Sequence, residues 1–233
     1  MEERKFDDFD EHAATYREIH TKNVRLSGAD SFYFAEMKAK LLCEFEKDIP
    51  LNVLDVGCGD GATEVFFKKY FPSWKVTGID ISEKSIDEAK SKNINGTIFK
   101  LYDGTSIASA DGQYDIIFMA GVLHHVHFKL HPALLKEVNR VLKKKGRFYL
   151  FEHNPFNPFT RHLVNTCVFD KDAKLLTAKY TRVALMAQNF RILKKSYIIF
   201  FPRKWVLSNL IFLEKYLQWL PLGGQYFFVA QKY

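Results

Sequence analysis

Cysteine is scarce in this sequence. Cys43, Cys58 and Cys167 are the only three in 233 residues, and their spacing suits neither a disulfide framework nor a metal centre. Reduced thiols in a cytoplasmic protein fit best. Long apolar runs are also missing. None approaches the roughly 20 residues that a membrane-spanning helix needs. The opening Met1-Glu2-Glu3-Arg4-Lys5 is charged and no apolar segment follows it, so no signal peptide is expected. The chain shows no internal repeat and no low-complexity linker.

Acid is in modest deficit, with 27 Asp and Glu against 34 Lys and Arg, a net charge of +7. Such a surplus permits an anionic partner: nucleic acid, a phosphorylated substrate or a membrane surface. The basic residues are scattered rather than blocked, which favours a lysine-rich surface over a nucleic-acid platform. An apolar fraction of 47% supports a sizeable core, and the length suits one domain of residues 1–233 with an appendage.

What is present is concentrated in Val53-Leu54-Asp55-Val56-Gly57-Cys58-Gly59-Asp60-Gly61-Ala62-Thr63. An apolar run stops at an acid, three glycines follow at alternate positions, and a helix-like segment begins. This reads as buried strand, tight turn, helix, with turn amides free to face a ligand at the helix start. A dinucleotide fingerprint would space its glycines G-x-G-x-x-G. Here the spacing is G-x-G-x-G, and Asp55 just before it would repel a pyrophosphate and favour a cationic amine or sulfonium. A second apolar strand, Trp74 to Asp80, also ends in an acid. Asp80 stands 19 residues beyond Gly61, where a ribose-binding carboxylate belongs.

Strand and helix patterns then alternate. A helix opens after Ser82, a plausible cap. Strands are expected over 96–102, 114–119 and 147–152, with a helix from about 132 to 142 and Lys143-Lys144-Lys145-Gly146 as a solvated turn. Residues 153–161, with two prolines and two asparagines, read as an irregular loop. A helix over 175–189, a strand over 190–201 and a last strand over 225–232 close the chain. Between these strands, residues 203–220 form an amphipathic helix in which Trp205, Phe212, Tyr216 and Trp219 share one arc. It reads as a helix packed on the domain, a lid over an apolar acceptor, or an interfacial helix beside a membrane.

The acid–glycine turn and the ribose acid, in this order and spacing, resemble the S-adenosylmethionine (SAM) site of class I methyltransferases, over residues 50–153 and the closing strands. The core looks like the methyltransferases of types 11 and 12, bacterial enzymes of small molecules, glycans and lipids. That resemblance implies a Rossmann-like α/β fold: a mostly parallel seven-stranded sheet, helices on both faces and an antiparallel last strand. It divides the chain into a helical cap (1–48), a SAM-binding core (49–153) and a substrate-side segment (154–233). It implies SAM as cofactor, S-adenosylhomocysteine as product, and no metal.

Carried over by position, Gly57, Cys58, Gly59 and Gly61 would face the methionine part of SAM, with Asp55 on its amino group. Asp80 would take the ribose hydroxyls, Ile81 would lie against adenine, and Asp103 with Gly104 would meet the adenine amino group. Ala120 would offer a carbonyl to the SAM amine, and Tyr16 would contribute from a lid. On the acceptor side His125 and His153 are the candidate proton acceptors, and His124, Asn154, Asn157 and Arg161 candidate substrate contacts. Asn154-Pro155-Phe156 does not match the Asn-Pro-Pro-Tyr motif of nucleic-acid amino methyltransferases, which follows the fourth strand. No Pro-Cys pair is present for cytosine-carbon chemistry. A small-molecule, glycan or lipid-linked acceptor is therefore expected, with a peripheral membrane contact through 203–220, in a monomer or homodimer. The rivals are a nucleic-acid methyltransferase and a SAM-binding scaffold without turnover.

Overall fold

β-branched and aromatic runs bounded by acid and glycine fold here as strands. The computed structural model describes residues 31–167, 173–201 and 205–233. The expected lid contact from Tyr16, most of the 1–48 cap and the Arg203 end of the aromatic segment lie outside those residues. The described elements are α1 (Ser31–Leu42), β1 (Asn52–Val56), α2 (Ala62–Tyr70), β2 (Lys75–Asp80), α3 (Glu83–Ser91), β3 (Thr97–Leu101) and β4 (Tyr114–Ala120). They continue with α4 (His131–Val141), β5 (Leu142–His153), α5 (Pro158–Thr166), α6 (Ala178–Ala187), β6 (Phe190–Ile198), α7 (Glu214–Leu217) and β7 (Gln225–Lys232).

The strands form one sheet in the order β3-β2-β1-β4-β5-β7-β6. Only β7 runs antiparallel, against β5 and β6. The order reverses between β1 and β4, which pair in parallel from Val53 and Ile116. A doubly wound sheet of this kind opens a crevice at the carboxyl ends of those two strands.

Alternation along the strands divides the core. On one side Phe67, Phe71 and Trp74 pack with Val53, Phe118 and Phe227 and with Leu42 of α1. Phe71 and Trp74 stack at 3.9 Å. On the other, Leu54, Ile117, Leu150 and Phe228 meet Leu134, Leu135 and Val138 of α4 and Leu185 of α6.

Three local expectations change. The lysine run is not a turn: β5 already begins at Leu142, and Lys143 pairs with Asp115 of β4 at 2.7 Å. An irregular register at Tyr114/Ile116 and a positive φ of 62° at Lys145 absorb the mismatch. Residues 153–161 are not all loop, because α5 starts at Pro158. Asn157 Oδ1 caps it by accepting the Thr160 amide at 2.8 Å, and proline at the first helical position lacks the N–H that would be orphaned there. The aromatic segment is a 3₁₀ helix over Trp205–Leu213 followed by the single turn α7, not one α-helix. Ser82 caps α3 as its sequence suggests, accepting the Ser85 amide at 3.1 Å.

Candidate cofactor and acceptor site at the sheet crevice

The glycine turn leaves β1 at the crevice. Gly57, Gly59 and Gly61 all hold positive φ, which L side chains avoid. Their surroundings differ. A Cβ on Gly57 would sit 2.3 Å from Val122 Cγ2, and one on Gly61 2.9 Å from Phe99. Those two glycines admit neighbouring side chains. A Cβ on Gly59 would meet nothing within 4 Å, so the open side of the turn belongs to Gly59. The turn's amides are less free than expected. Gly57 and Cys58 donate to the Ile79 carbonyl, Gly61 to that of Cys58, and Gly59 to Asp80 Oδ2 at 2.8 Å.

Asp80 therefore braces the turn. Its Oδ1 accepts the Ser82 amide at 3.0 Å. A carboxylate can accept along about four lone-pair directions, the donor-seeking chemistry that a ribose diol satisfies. Ile81 follows, half-buried. Asp103 closes its own turn, with Oδ1 accepting the amides of Thr105 at 2.7 Å and Ser106 at 2.9 Å, and Gly104 takes a φ of 72°. Ala120 ends β4 opposite Phe151.

Asp55 lies beneath the turn, 2% exposed, and its Oδ1 has no hydrogen-bond donor among the described residues. Burial raises its pKa to about 7. An orphaned acceptor beside an open glycine fits a ligand that brings its own cation. Sequence reasoning missed Glu64, fully buried in the first turn of α2 beside Asp55. An acid at that position ordinarily signals nothing more than an exposed helix start. It also missed Lys38 of α1, partly buried, which interacts with Asp55 and Glu152; burial lowers its pKa to about 8.

The acceptor side is built at the ends of β4 and β5. His124 is buried, its Nδ1 2.6 Å from Glu152 Oε2, and Glu152 Oε1 accepts the Leu123 amide at 2.9 Å. The rings of His125 and His153 lie 4.2 and 5.2 Å from that of His124, so these three histidines do come together. His131 does not join them; it is buried between the Tyr180 hydroxyl and the Val126 carbonyl. Glu152 was overlooked, although it ends an apolar strand just as Asp55 and Asp80 do.

The two asparagines proposed as substrate contacts hold loops together. Asn154 is buried, donates to the carbonyls of Pro221 and Gly223, and accepts the Phe156 amide. Asn157 caps α5 and donates to the Leu222 carbonyl at 2.7 Å. Their side-chain amides are thereby engaged with backbone. Arg161 is exposed on α5. Among the described residues no three His, Cys, Asp or Glu side chains group as a metal site, and no helix is long and apolar enough to cross a membrane.

Comparison with known proteins agrees with this geometry. Residues 53–146 match a family model described as a methyltransferase domain. An uncharacterised methyltransferase of Schizosaccharomyces pombe is 31% identical over 150 residues, 59% of this chain and 50% of that protein. A human thiol S-methyltransferase is 37% identical over 111 residues, 44% of this chain and 43% of that one. The chain thus spans about half the length of the curated relatives it matches. Among solved structures, a SAM-dependent methyltransferase from Thermotoga maritima, described as a possible histamine N-methyltransferase, superposes with a TM-score of 0.72 at 18% identity. The match covers 98% of this chain and all of that one. At that identity the likeness speaks for the fold alone.

Proposed function

Residues 53–146 belong to the class I SAM-dependent methyltransferases, and on that premise we propose that this chain transfers a methyl group to an apolar or lipid-linked acceptor. The cofactor supplies an electrophilic methyl on a sulfonium. The chain supplies the seat: Asp80 for the ribose hydroxyls, Asp55 for the amino group, the open flank of Gly59 for the methionine part, and Ile81, Asp103 and Gly104 for adenine. Transfer is then a matter of alignment, with proton removal only for an acidic acceptor. His125 and His153 are the proton acceptors of this reading. They sit against His124, whose ring Glu152 orients.

The observation that carries the acceptor class is an exposed aromatic surface at the same edge. Phe212, Tyr216 and Trp219 are 64%, 64% and 72% exposed, and the exposed Leu222 and Phe156 lie on two loops that Asn157 ties together. The segment hangs on the carboxyl end of β6. Tyr197 donates to the Gln218 carbonyl, and the Phe200 and Phe201 amides donate to Glu214 Oε1. Solvent-facing Trp and Tyr beside Lys215 suit a bilayer interface, where amphipathic rings rest among headgroups. That surface lies at the same carboxyl edge of the sheet as the crevice, which supports a membrane-presented acceptor.

The test is transfer of labelled methyl from SAM to a cell extract split into lipid, glycan, small-molecule, protein and nucleic-acid fractions, with Asp80→Ala alongside. Label in the lipid fraction, lost in the variant, is the expected result. Label confined to a polar fraction would overturn the acceptor class, and cofactor binding without label anywhere would favour a scaffold.

A further inference from the structure

Glu64 has no part in the reading above, yet it is the most unusual side chain near the crevice. It occupies the first turn of α2 with no exposed surface, and neither of its oxygens has a hydrogen-bond donor among the described residues. Asp55 Oδ1 is in the same position. The two buried side chains nonetheless act directly on each other across the turn. A bond between two carboxyl groups exists only if one of them carries a proton. Two carboxylates in one buried site cannot both stay ionised, so they share.

The neutral member is Glu64. Burial pushes its pKa well above the carboxylate range, and the Asp55 charge pushes it further. Asp55 is raised to about 7. Burial and the Asp80 charge lift it, while Glu64 and the attraction of Lys38 hold it down, near neutrality. The other charges facing the pair are Asp60 of the glycine turn, which acts on Glu64, and Cys58, whose thiol is pushed up by its burial and then by Glu64, Asp55 and Asp80.

We propose that Asp55 and Glu64 form a proton-gated cation seat: Glu64 stays protonated and donates its O–H to Asp55, and Asp55 receives the cofactor's ammonium only after releasing its own proton to solvent. This rests on the reading that Asp55 faces the ammonium. Glu64 is then a positioning residue that keeps Asp55 anionic without adding a second negative charge. Cofactor capture becomes a pH-dependent step, strong at neutral pH and weak in mild acid.

The experiment is calorimetric titration of the full chain with S-adenosylhomocysteine, which carries the same ammonium and is not consumed. It runs from pH 5.5 to 7.5 in two buffers of different ionisation enthalpy. Affinity is expected to fall about tenfold per pH unit below neutrality, with nearly one proton released per ligand at pH 6 and a minority at pH 7.5. Asp55→Asn is expected to bind weakly with no pH dependence. Glu64→Gln restores a donor to Asp55 and keeps the wild-type profile. Glu64→Leu removes the donor, moves the transition to higher pH and weakens binding at pH 7 by about fivefold or more. A wild-type affinity that is flat from pH 5.5 to 7.5 overturns the proposal, as does Glu64→Gln behaving like Glu64→Leu. Absence of binding by the wild-type chain at every pH would bring down the cofactor placement itself, a different and separable failure.

Discussion

His124 Nδ1 and Glu152 Oε2 lie 2.6 Å apart with both side chains buried, at the point where β5 reaches the crevice. Glu152 also anchors the Leu123 amide, so its removal strips two buried donors at once. Glu152→Ala should cost about 3 kcal/mol of folding stability, read from the denaturant midpoint. Glu152→Gln keeps an acceptor oxygen and should fold. Its maximal transfer rate should drop about ten- to a hundredfold, while cofactor affinity stays within about threefold. An unchanged rate would remove histidine orientation from the mechanism.

The glycines of the turn should separate by position. Gly57→Ala forces a methyl group into Val122 as well as into an unfavourable φ, and should cost about 3 kcal/mol. Gly59→Ala meets open space and carries only the φ penalty of about 1 kcal/mol, but fills the flank offered to the ligand. Its main effect should be weaker cofactor binding. Val122→Ala should recover part of the Gly57→Ala loss and none of the Gly59→Ala loss; thermal melts of the four variants check this.

Asp80→Asn replaces one acceptor oxygen with an amide donor facing a backbone N–H, either that of Gly59 or that of Ser82. Cofactor affinity should fall about ten- to a hundredfold. The α3 cap from Ser82 Oγ remains, so stability should drop far less than affinity.

The ligand-free protein should respond to pH through Asp55. Its folded pKa of about 7 lies above the unfolded value, so the folded state holds a proton that the unfolded chain has lost. The Asp55 contribution to stability is then fully present below about pH 4 and is lost as pH rises to about 7 and beyond. His131, whose pKa burial lowers, works in the opposite direction over part of this range, so the difference from a variant is the clean readout. Relative to Asp55→Asn, the wild type should lose about 2 kcal/mol between pH 5 and pH 8. Parallel stability curves for the two proteins would refute the raised pKa.

The exposed aromatics should be neutral for folding. Phe212→Ser with Trp219→Ser should change stability by less than about 0.5 kcal/mol per site. The pair should reduce co-sedimentation with vesicles rich in anionic lipid, and equal sedimentation would remove the membrane from the proposal.

The crevice was legible because an acid that closes an apolar strand is hard to explain by packing. Asp55 and Asp80 announce themselves in that way. Glu64 does not, because an acid in the first turn of a helix is what the helix dipole favours at a surface. Only the tertiary packing of α2 on β1 takes it out of water. Likewise, Asn154 and Asn157 look like ligand-facing polar groups in a proline-rich stretch. Their partners, the carbonyls of residues 221–223, lie more than sixty positions away, beyond any local pattern. The second Asn-Pro pair did carry a readable signal for the cap and first residue of α5, and the proline content masked it.

The ties across this edge have a bearing on engineering. Besides Asn154 and Asn157, the Thr160 hydroxyl donates to the Gly224 carbonyl, and the Asn154 amide donates to the same oxygen. Gly223 has no room for a side chain against the Ile198 backbone. Segments 154–160 and 221–224 therefore behave as one cassette with two separate insertion points in the gene. A chimera meant to exchange acceptor preference with a relative would have to carry both segments together, because either one alone would arrive without its hydrogen-bond counterpart.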